Sequence, residues 1–368
     1  MAGSSNLKVV IIGAGPAGCS CAITLLNAGI RKVTLIDASK DRKFSIGESI
    51  PPDTNVLFKQ LGIYNDFQNE DHEPCYGSCS YWGNHLHGYN DTILSPHGHG
   101  WHLDRSKFNR FLVERVKTLG GKVLRQHTYL GHAVKDGVHT LEVDDNNGSS
   151  ISLLADFVVD ASGARGVFAR DKGSHKKTGT PLVCLGLRFQ MTANSQITHQ
   201  THLESVSEGW WYATRIPGNL VLITLYTDAA TVKDMKLQQW DNWVGLLNAS
   251  QYMSEFVDQL SPYDQKLFGF QAASFCLDKL VGEGWMAIGD AASTYDPITS
   301  YGIIKSISHG ISSAECIANA AYDSEALFTN FENEVHQQYE HYKDMRRDFY
   351  QLEQRWPENT FWEVVHNL

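Results

Sequence analysis

Three glycines spaced Gly13-x-Gly15-x-x-Gly18 follow directly on the apolar run Val9 to Ile12, and an acid, Asp37, closes the next apolar segment, "KVTLID". Gly13 suits a tight turn, Gly15 lets the backbone approach a pyrophosphate, and Gly18 lets a helix pack on the strand before it. The helix, read from Ala17 to Ala28 with Gly29 as its stop, points its N-terminus at the phosphates. Asp37, followed by Ala38, can accept from ribose hydroxyls, and an acid there favours a ribose without a 2′-phosphate. Acid–base chemistry has its own candidates in Glu48, His102 and Lys305, all near glycine- or proline-rich segments. Aromatic residues that could wall a cavity stand in "EGWWYATRIPGN", with Trp210, Trp211 and Tyr212, and at Tyr301.

Other segments must carry these groups. "ADFVVDASGARGVFAR" reads as a strand running into Asp160-Ala-Ser-Gly163, with Arg165 and Arg170 beyond it. "GEGWMAIGDAASTYDPITSYGIIK" reads as a strand, then Gly289-Asp290, then a loop through Pro297 that opens a long helix at Gly302 and Ile303. In "HLDRSKFNRFLVERVKTLGG", Asp104 is a plausible N-cap with Arg105 in the first turn. Phe108, Phe111, Leu112, Val116 and Leu119 form one apolar face, and Gly120 ends the helix.

The 368 residues are 42% hydrophobic and 20% charged, as in an ordinary globular protein large enough for about two domains. A net charge of -10 argues against nucleic acid or an anionic membrane surface as partner, because phosphate neutralisation needs basic patches. No apolar run approaches the roughly 20 residues that span a bilayer. The first apolar strand begins so early that a cleavable leader would destroy it, which leads us to expect a cytoplasmic protein. Seven cysteines are scattered through the chain and read as buried free thiols. Cys75 and Cys79 lack the second pair that a zinc site needs. His85, His87, His97, His99 and His102 crowd one segment, but without helical i,i+4 spacing, so no metal is expected.

The glycine fingerprint, the D-x-x-G segment at Asp160 and the late G-D segment at Asp290 together resemble the flavin-dependent monooxygenase fold, in which all three wrap one FAD. The resemblance implies FAD as cofactor, with contacts from Gly13, Gly15, Ala17, Gly18, Asp37, Ala38, Arg105, Asp160, Gly163, Gly289 and Asp290. It also implies that the amides opening the helix at Gly302 face the flavin where charge develops on reduction. "FSIGESIPPD", with Glu48 and Ser49, resembles the G-E-[SA] segment of flavin-dependent halogenases, and "YDPITSYGI" resembles their chloride-binding loop around Pro297, Gly302 and Ile303. Two halogenase signatures are missing. The W-x-W-x-I-P hexapeptide reads Y-A-T-R-I-P from Tyr212, and the place of the essential lysine holds Gly77.

This compact pattern resembles the LodB/GoxB group, flavoproteins that mature the cysteine tryptophylquinone of amino-acid oxidases by oxygenating a tryptophan within a precursor. The implied activity is an FAD-dependent monooxygenase acting on an electron-rich ring, with a precursor protein, such as a quinoprotein amino-acid oxidase, and O₂ as partners. With no second glycine fingerprint for a nicotinamide, electrons must come from transiently bound NAD(P)H, a separate reductase or the substrate. A hydroxylase or halogenase of a small aromatic metabolite, or a flavin-containing chaperone that only binds the precursor, are the competing readings.

The implied architecture is α/β. A Rossmann-like FAD-binding domain in three parts (1–80, 104–178 and 276–325) would carry a substrate-side insertion (81–103), an inserted mixed or antiparallel β-sheet substrate domain (179–275) and a short helical C-terminal region (326–368).

Overall fold

Lys8–Ile12 is apolar after its first residue because both of its faces are covered. It lies between Lys32–Asp37 and Phe157–Asp160, paired in parallel with each. Lys122–Arg125 extends this sheet on one side and Trp285–Ala287 on the other, both in parallel, and Val281–Gly282 adds an antiparallel edge. The computed structural model describes residues 6–39, 47–84, 86–146 and 148–367, apart from the side chains of 321–324, so His85 lies outside the described residues. The first helix, Pro16–Asn27, is buried along most of its length, with Gly29 in a left-handed conformation just beyond it. Arg105–Thr118 begins where its cap was expected: the Asp104 side chain accepts from the Lys107 amide at 2.8 Å.

A second, eight-stranded sheet carries the other half of the core. Its centre is the antiparallel set Val183–Met191, Leu220–Thr227, Gly209–Ile216 and Thr201–Val206. Gly77–Tyr81 joins Thr201–Val206 in parallel and His87–Asp91 forms the outer edge, which makes the sheet mixed. Leu220–Thr227 is buried at all positions because the sheet is covered on both faces. Strand alternation splits the "GWWYA" segment between those faces. Trp211 and Ala213 pack with Trp243 on one side, while Trp210 and Tyr212 pack with Tyr350 and Trp362 on the other. Thus the inserted sheet begins at Gly77, within the segment assigned by sequence to the first FAD-binding part.

Residues Gly302–Gln351 are helical throughout, but they do not form one straight rod. His309 Nε2 lies 3.3 Å from Gln338 Oε1, and the Cys316 thiol donates to the Leu327 carbonyl at 3.7 Å. A straight helix would hold the first pair about 43 Å apart. The run therefore doubles back between Cys316 and Leu327, giving an outgoing arm and a return arm. Phe331, Val335, Tyr339, Tyr342 and Tyr350 of the return arm are buried, and the short helix Thr360–His366 closes over the second sheet. Trp362 is fully buried there, and its Nε1 donates to the Val206 carbonyl at 2.9 Å. Trp362→Ala is expected to destabilise the protein by about 3–5 kcal/mol, the usual cost of a cavity left by tryptophan. Urea denaturation checks this, and an unchanged midpoint would contradict the packing role.

Candidate active site

Two cavities meet along the carboxyl ends of the first sheet, where ligands of open α/β sheets bind. The first, of about 290 Å³, is a groove lined by Gly13, Gly15, Asp37, Ala38, Arg110, Arg125, Gly163 and Arg165 among others. The second, of about 380 Å³, is a chamber bordered by Pro16, Gly47, Glu48, Ser49, Arg105 and Ala164, then by Tyr212, Asp290, Pro297, Gly302 and Ile303 on further segments. Chain neighbours divide between the two: Gly15 with Pro16, and Gly163 with Ala164. A ligand with a nucleotide at one end and a flat ring system at the other can lie through both.

The groove fits a dinucleotide on its own geometry. Gly13 has φ +113°, and a Cβ there would lie 2.2 Å from the Ala161 carbonyl oxygen, so only glycine makes the turn. At Gly15 a Cβ would meet nothing within 4 Å, which leaves open space where phosphates approach. Asp37 holds its carboxylate in place by accepting from the Ser39 amide at 3.1 Å and hydroxyl at 2.7 Å. Ala17 and Gly289 are packing positions: a Cβ at Gly289 would lie 2.6 Å from that of Ala17.

Asp160 departs from the expected flavin contact. It is fully buried, and its carboxylate accepts from the amides of Ser162, Phe168 and Ala169 at 3.0, 2.8 and 2.8 Å. The carboxylate therefore fastens the start of the helix Val167–Asp171 rather than facing the groove.

In the chamber, Glu48 is the group most altered by its surroundings. It is 3% exposed, its Oε1 has no hydrogen-bond partner among the described residues, and burial pushes its carboxyl up to about 7 against the pull of Arg105. Arg105 donates from NH1 to the Gly47 carbonyl at 2.9 Å, spanning the chamber wall beside Glu48. Asp296, which sequence reasoning passed over although it stands in "YDPITSYGI", is a second buried acid on this wall. It accepts from Tyr350 Oη at 2.9 Å and the Ile298 amide at 3.0 Å, and burial pushes it up to about 6. Tyr350 comes from the return arm, too distant in sequence for any local motif to reveal. Tyr226 and Phe270 also line the chamber and had no sequence signal beyond strand alternation.

Several expectations need correction. Trp210 and Trp211 are both fully buried and neither lines the chamber. Trp211 packs edge-on against Trp243 behind the sheet, and Trp210 stacks on Tyr226 at 4.1 Å and donates to Tyr350 Oη at 3.1 Å. Of the aromatic stretch, only Tyr212 reaches the cavity, because Trp211 points to the opposite face and Trp210 sits under the C-terminal segment. Tyr301 is 43% exposed and outside the chamber lining.

Lys305 is buried, donating from Nζ to Asp290 Oδ1 at 3.0 Å and to the Ser293 carbonyl, with the Tyr295 ring 4.6 Å away. It positions Asp290 and does not face substrate space. His102 is fully buried, off the chamber wall, with Nε2 3.2 Å from Thr201 Oγ1. The remaining histidines of its segment disperse: His97 lies 3.6 Å from Asp53, and His87 Nδ1 lies 3.4 Å from the Cys79 thiol. Among the described residues no group of three or more His, Cys, Asp or Glu is placed to hold a metal, and no helix is long and apolar enough to cross a membrane.

These features carry two expectations. Gly15→Val should fold, since its side chain meets only open space, yet lose the bound dinucleotide. A folded variant by circular dichroism with full yellow colour would contradict the groove assignment. Glu48 and Asp296 hold protons more tightly when folded, so each destabilises the flavin-free fold progressively as pH rises from its ordinary range to about 7 and about 6 respectively. Glu48→Gln should flatten the decline in urea midpoint between pH 4.5 and about 7. An identical slope in wild type and variant would refute the shift.

The comparisons agree with this arrangement. Residues 6–342 match the family model described as FAD binding domain. The LodB protein of Marinomonas mediterranea, described as an FAD-dependent oxidoreductase, is 26% identical over 98% of this chain and 97% of its own length. Among solved structures, the flavin-dependent halogenase CmlS superposes with a TM-score of 0.89 at 21% identity, over 98% of this chain and 67% of that one. The peptidyl tryptophan dihydroxylase QhpG, essential for tryptophylquinone cofactor biogenesis, superposes with a TM-score of 0.79 at 22% identity, over 98% of this chain and 78% of that one. The chain belongs to the FAD binding domain family, and it is an FAD-dependent oxidoreductase.

Proposed function

We propose that this protein is a monooxygenase that hydroxylates a tryptophan side chain within a precursor protein, as a step in tryptophylquinone cofactor biogenesis. The observation that carries the reading is the chamber wall. It combines a buried acid titrating near neutrality, Glu48, with the hydroxyls of Ser49 and Tyr212, and no lysine lines it among the described residues. An amine that could capture hypohalous acid is what the halogenase reading needs. Lys305, the nearest in sequence, is spent on Asp290. The position matched to the halogenase lysine is Gly77, at φ +134°, where a Cβ would lie 2.2 Å from the Asn90 carbonyl oxygen. No lysine can stand there without moving the strand edge.

FAD, once reduced, supplies the activation of O₂, and the residues of this chain do the rest. Gly13, Gly15 and Asp37 hold the nucleotide end, and the helix opening at Gly302 and Ile303 presents amides to the ring end. Glu48, held near neutrality, can give or take a proton at working pH. Electrons would come from NAD(P)H or a separate reductase, since the chain has a single glycine fingerprint. Support for a protein-borne substrate comes from the near-complete overlap with LodB and from the likeness to QhpG. The ring end of FAD would take up part of the chamber of about 380 Å³, and a free aromatic metabolite in the space beside it is the second reading.

Co-expression with an unmodified quinoprotein precursor tests the proposal. We expect the precursor to gain the mass of one or more oxygen atoms on a tryptophan, with no gain when the Gly15→Val variant is supplied. Turnover of free indoles or phenols without precursor modification would replace it with the second reading, and binding without modification would reduce the protein to a chaperone.

A further inference from the structure

A row of polar atoms leads from the chamber into the core. Tyr212 Oη lies 2.6 Å from Ser49 Oγ, Ser49 Oγ lies 3.2 Å from Thr201 Oγ1, and Thr201 Oγ1 lies 3.2 Å from His102 Nε2. Tyr212 and Ser49 line the cavity, whereas Thr201 and His102 are buried behind it. Ser49 and His102 are also register partners across adjoining strands, so one wall position and one buried position share a backbone frame. The far ring nitrogen, His102 Nδ1, is buried with no hydrogen-bond partner among the described residues.

The terminus decides the direction of the row. Each hydroxyl owns a single proton, so once the imidazole is fixed as donor or acceptor every hydroxyl after it follows. Buried N–H groups without an acceptor are rarer and costlier than bare lone pairs. An unpartnered Nδ1 is therefore the nitrogen without hydrogen, and the proton sits on Nε2. His102 then donates to Thr201, Thr201 to Ser49, and Ser49 to Tyr212. The Cys75 thiol donates to the Gly77 carbonyl at 3.4 Å, and its 4.0 Å contact with Thr201 Oγ1 is much longer than the 3.2 Å from Thr201 to Ser49, which takes the Thr201 proton. The phenol proton of Tyr212 then lies outside the row, on the side of the chamber and of Thr214, whose own hydroxyl donates to the Arg215 carbonyl at 3.3 Å.

The neutral state of His102 is secure. Burial, with His199, His202 and Arg215 around it, pushes it down to about 3. Glu73, its strand partner on the other side, directs its carboxylate to His199 and Arg215 instead, at 3.2 and 3.8 Å.

We propose that His102, Thr201 and Ser49 are positioning residues that fix the Tyr212 hydroxyl as a hydrogen-bond donor into the chamber, so that the site recognises a carbonyl or hydroxyl oxygen on an aromatic ligand. The inference rests on the oxygenase reading only in expecting an oxygen-bearing aromatic, such as a hydroxylated or oxidised indole, in that space. Hydrogen bonds along such a row polarise one another, which strengthens the last donor.

Histidine-selective ¹⁵N labelling of the FAD-loaded protein tests the direction. The His102 signals, identified by their loss in His102→Gln, should report a proton on Nε2 that does not titrate across the neutral range. A proton on Nδ1 overturns the proposal. Recognition is tested by titrating 2-oxindole and indoline, which differ in one carbonyl oxygen, and following the visible flavin absorbance. Wild type should prefer 2-oxindole by roughly two- to tenfold, the range expected of one hydrogen bond. Tyr212→Phe and Thr201→Val should each erase that ratio, and Thr201→Ser should keep it, with flavin content read in every variant. No preference in wild type, or a preference that survives Thr201→Val, overturns the recognition role. Neither readout involves a precursor protein, so failure of the co-expression assay and failure of this proposal are separate results.

Discussion

The arrangement depends on a crossing at which backbone meets backbone. The outgoing arm of the helical run passes over the first helix at Gly310, where a Cβ would lie 2.5 Å from the Ala17 carbonyl oxygen. The same helix presses on the turn before it at Gly18, where a Cβ would lie 2.0 Å from the Gly13 carbonyl oxygen. The obstacles are main-chain atoms, so no flexible side chain can give way. Only by this close approach does the start of the outgoing arm, at Gly302, reach the same cavity as Pro16, the first residue of the first helix. Two helix N-termini then open on one cavity path, where their partial positive charges would favour phosphates and a ring system that gains negative charge.

Much of this frame was legible because it is local. The turn at Gly13, the helix after it, the acid at Asp37 and the cap at Asp104 each occupy a few consecutive residues whose chemistry admits few alternatives. What escaped was non-local or depended on which face of a strand looks inward. "GWWYATRIP" announced aromatic residues, but alternation sent Trp211 to the back of the sheet, and the return arm covered Trp210, leaving Tyr212 alone at the cavity. Asp160 and Lys305 carry the residue types of ligand contacts and were spent instead on holding a helix start and another carboxylate. Asp296 was in plain view, yet its partner Tyr350 lies on the far side of a chain reversal that no periodicity foretells.

Two of the acids that line the chamber, Glu48 and Asp296, are buried, and they are held differently. Asp296 is bound on both oxygens, by Tyr350 and by the Ile298 amide, so its orientation is fixed whatever its charge. Glu48 faces Arg105 but leaves one oxygen without a partner among the described residues. An acid left incomplete in this way is an expensive feature for a fold to keep, and such features cluster where a ligand completes them. Asp296 is thus built into the scaffold, whereas Glu48 keeps an oxygen that a ligand could complete.

The reversal of the helical run between Cys316 and Leu327 has a consequence for how such chains can change length. One extra residue inside either arm would rotate every later side chain by about 100°. His309 would lose Gln338, and Tyr342 and Tyr350 would swing away from the Asp296 amide and carboxylate that they hold. Insertions and deletions can be absorbed only at the tip of the hairpin, or in matched pairs across its arms. A change of length at the bend therefore leaves these contacts between His309, Tyr342, Tyr350 and their partners in phase.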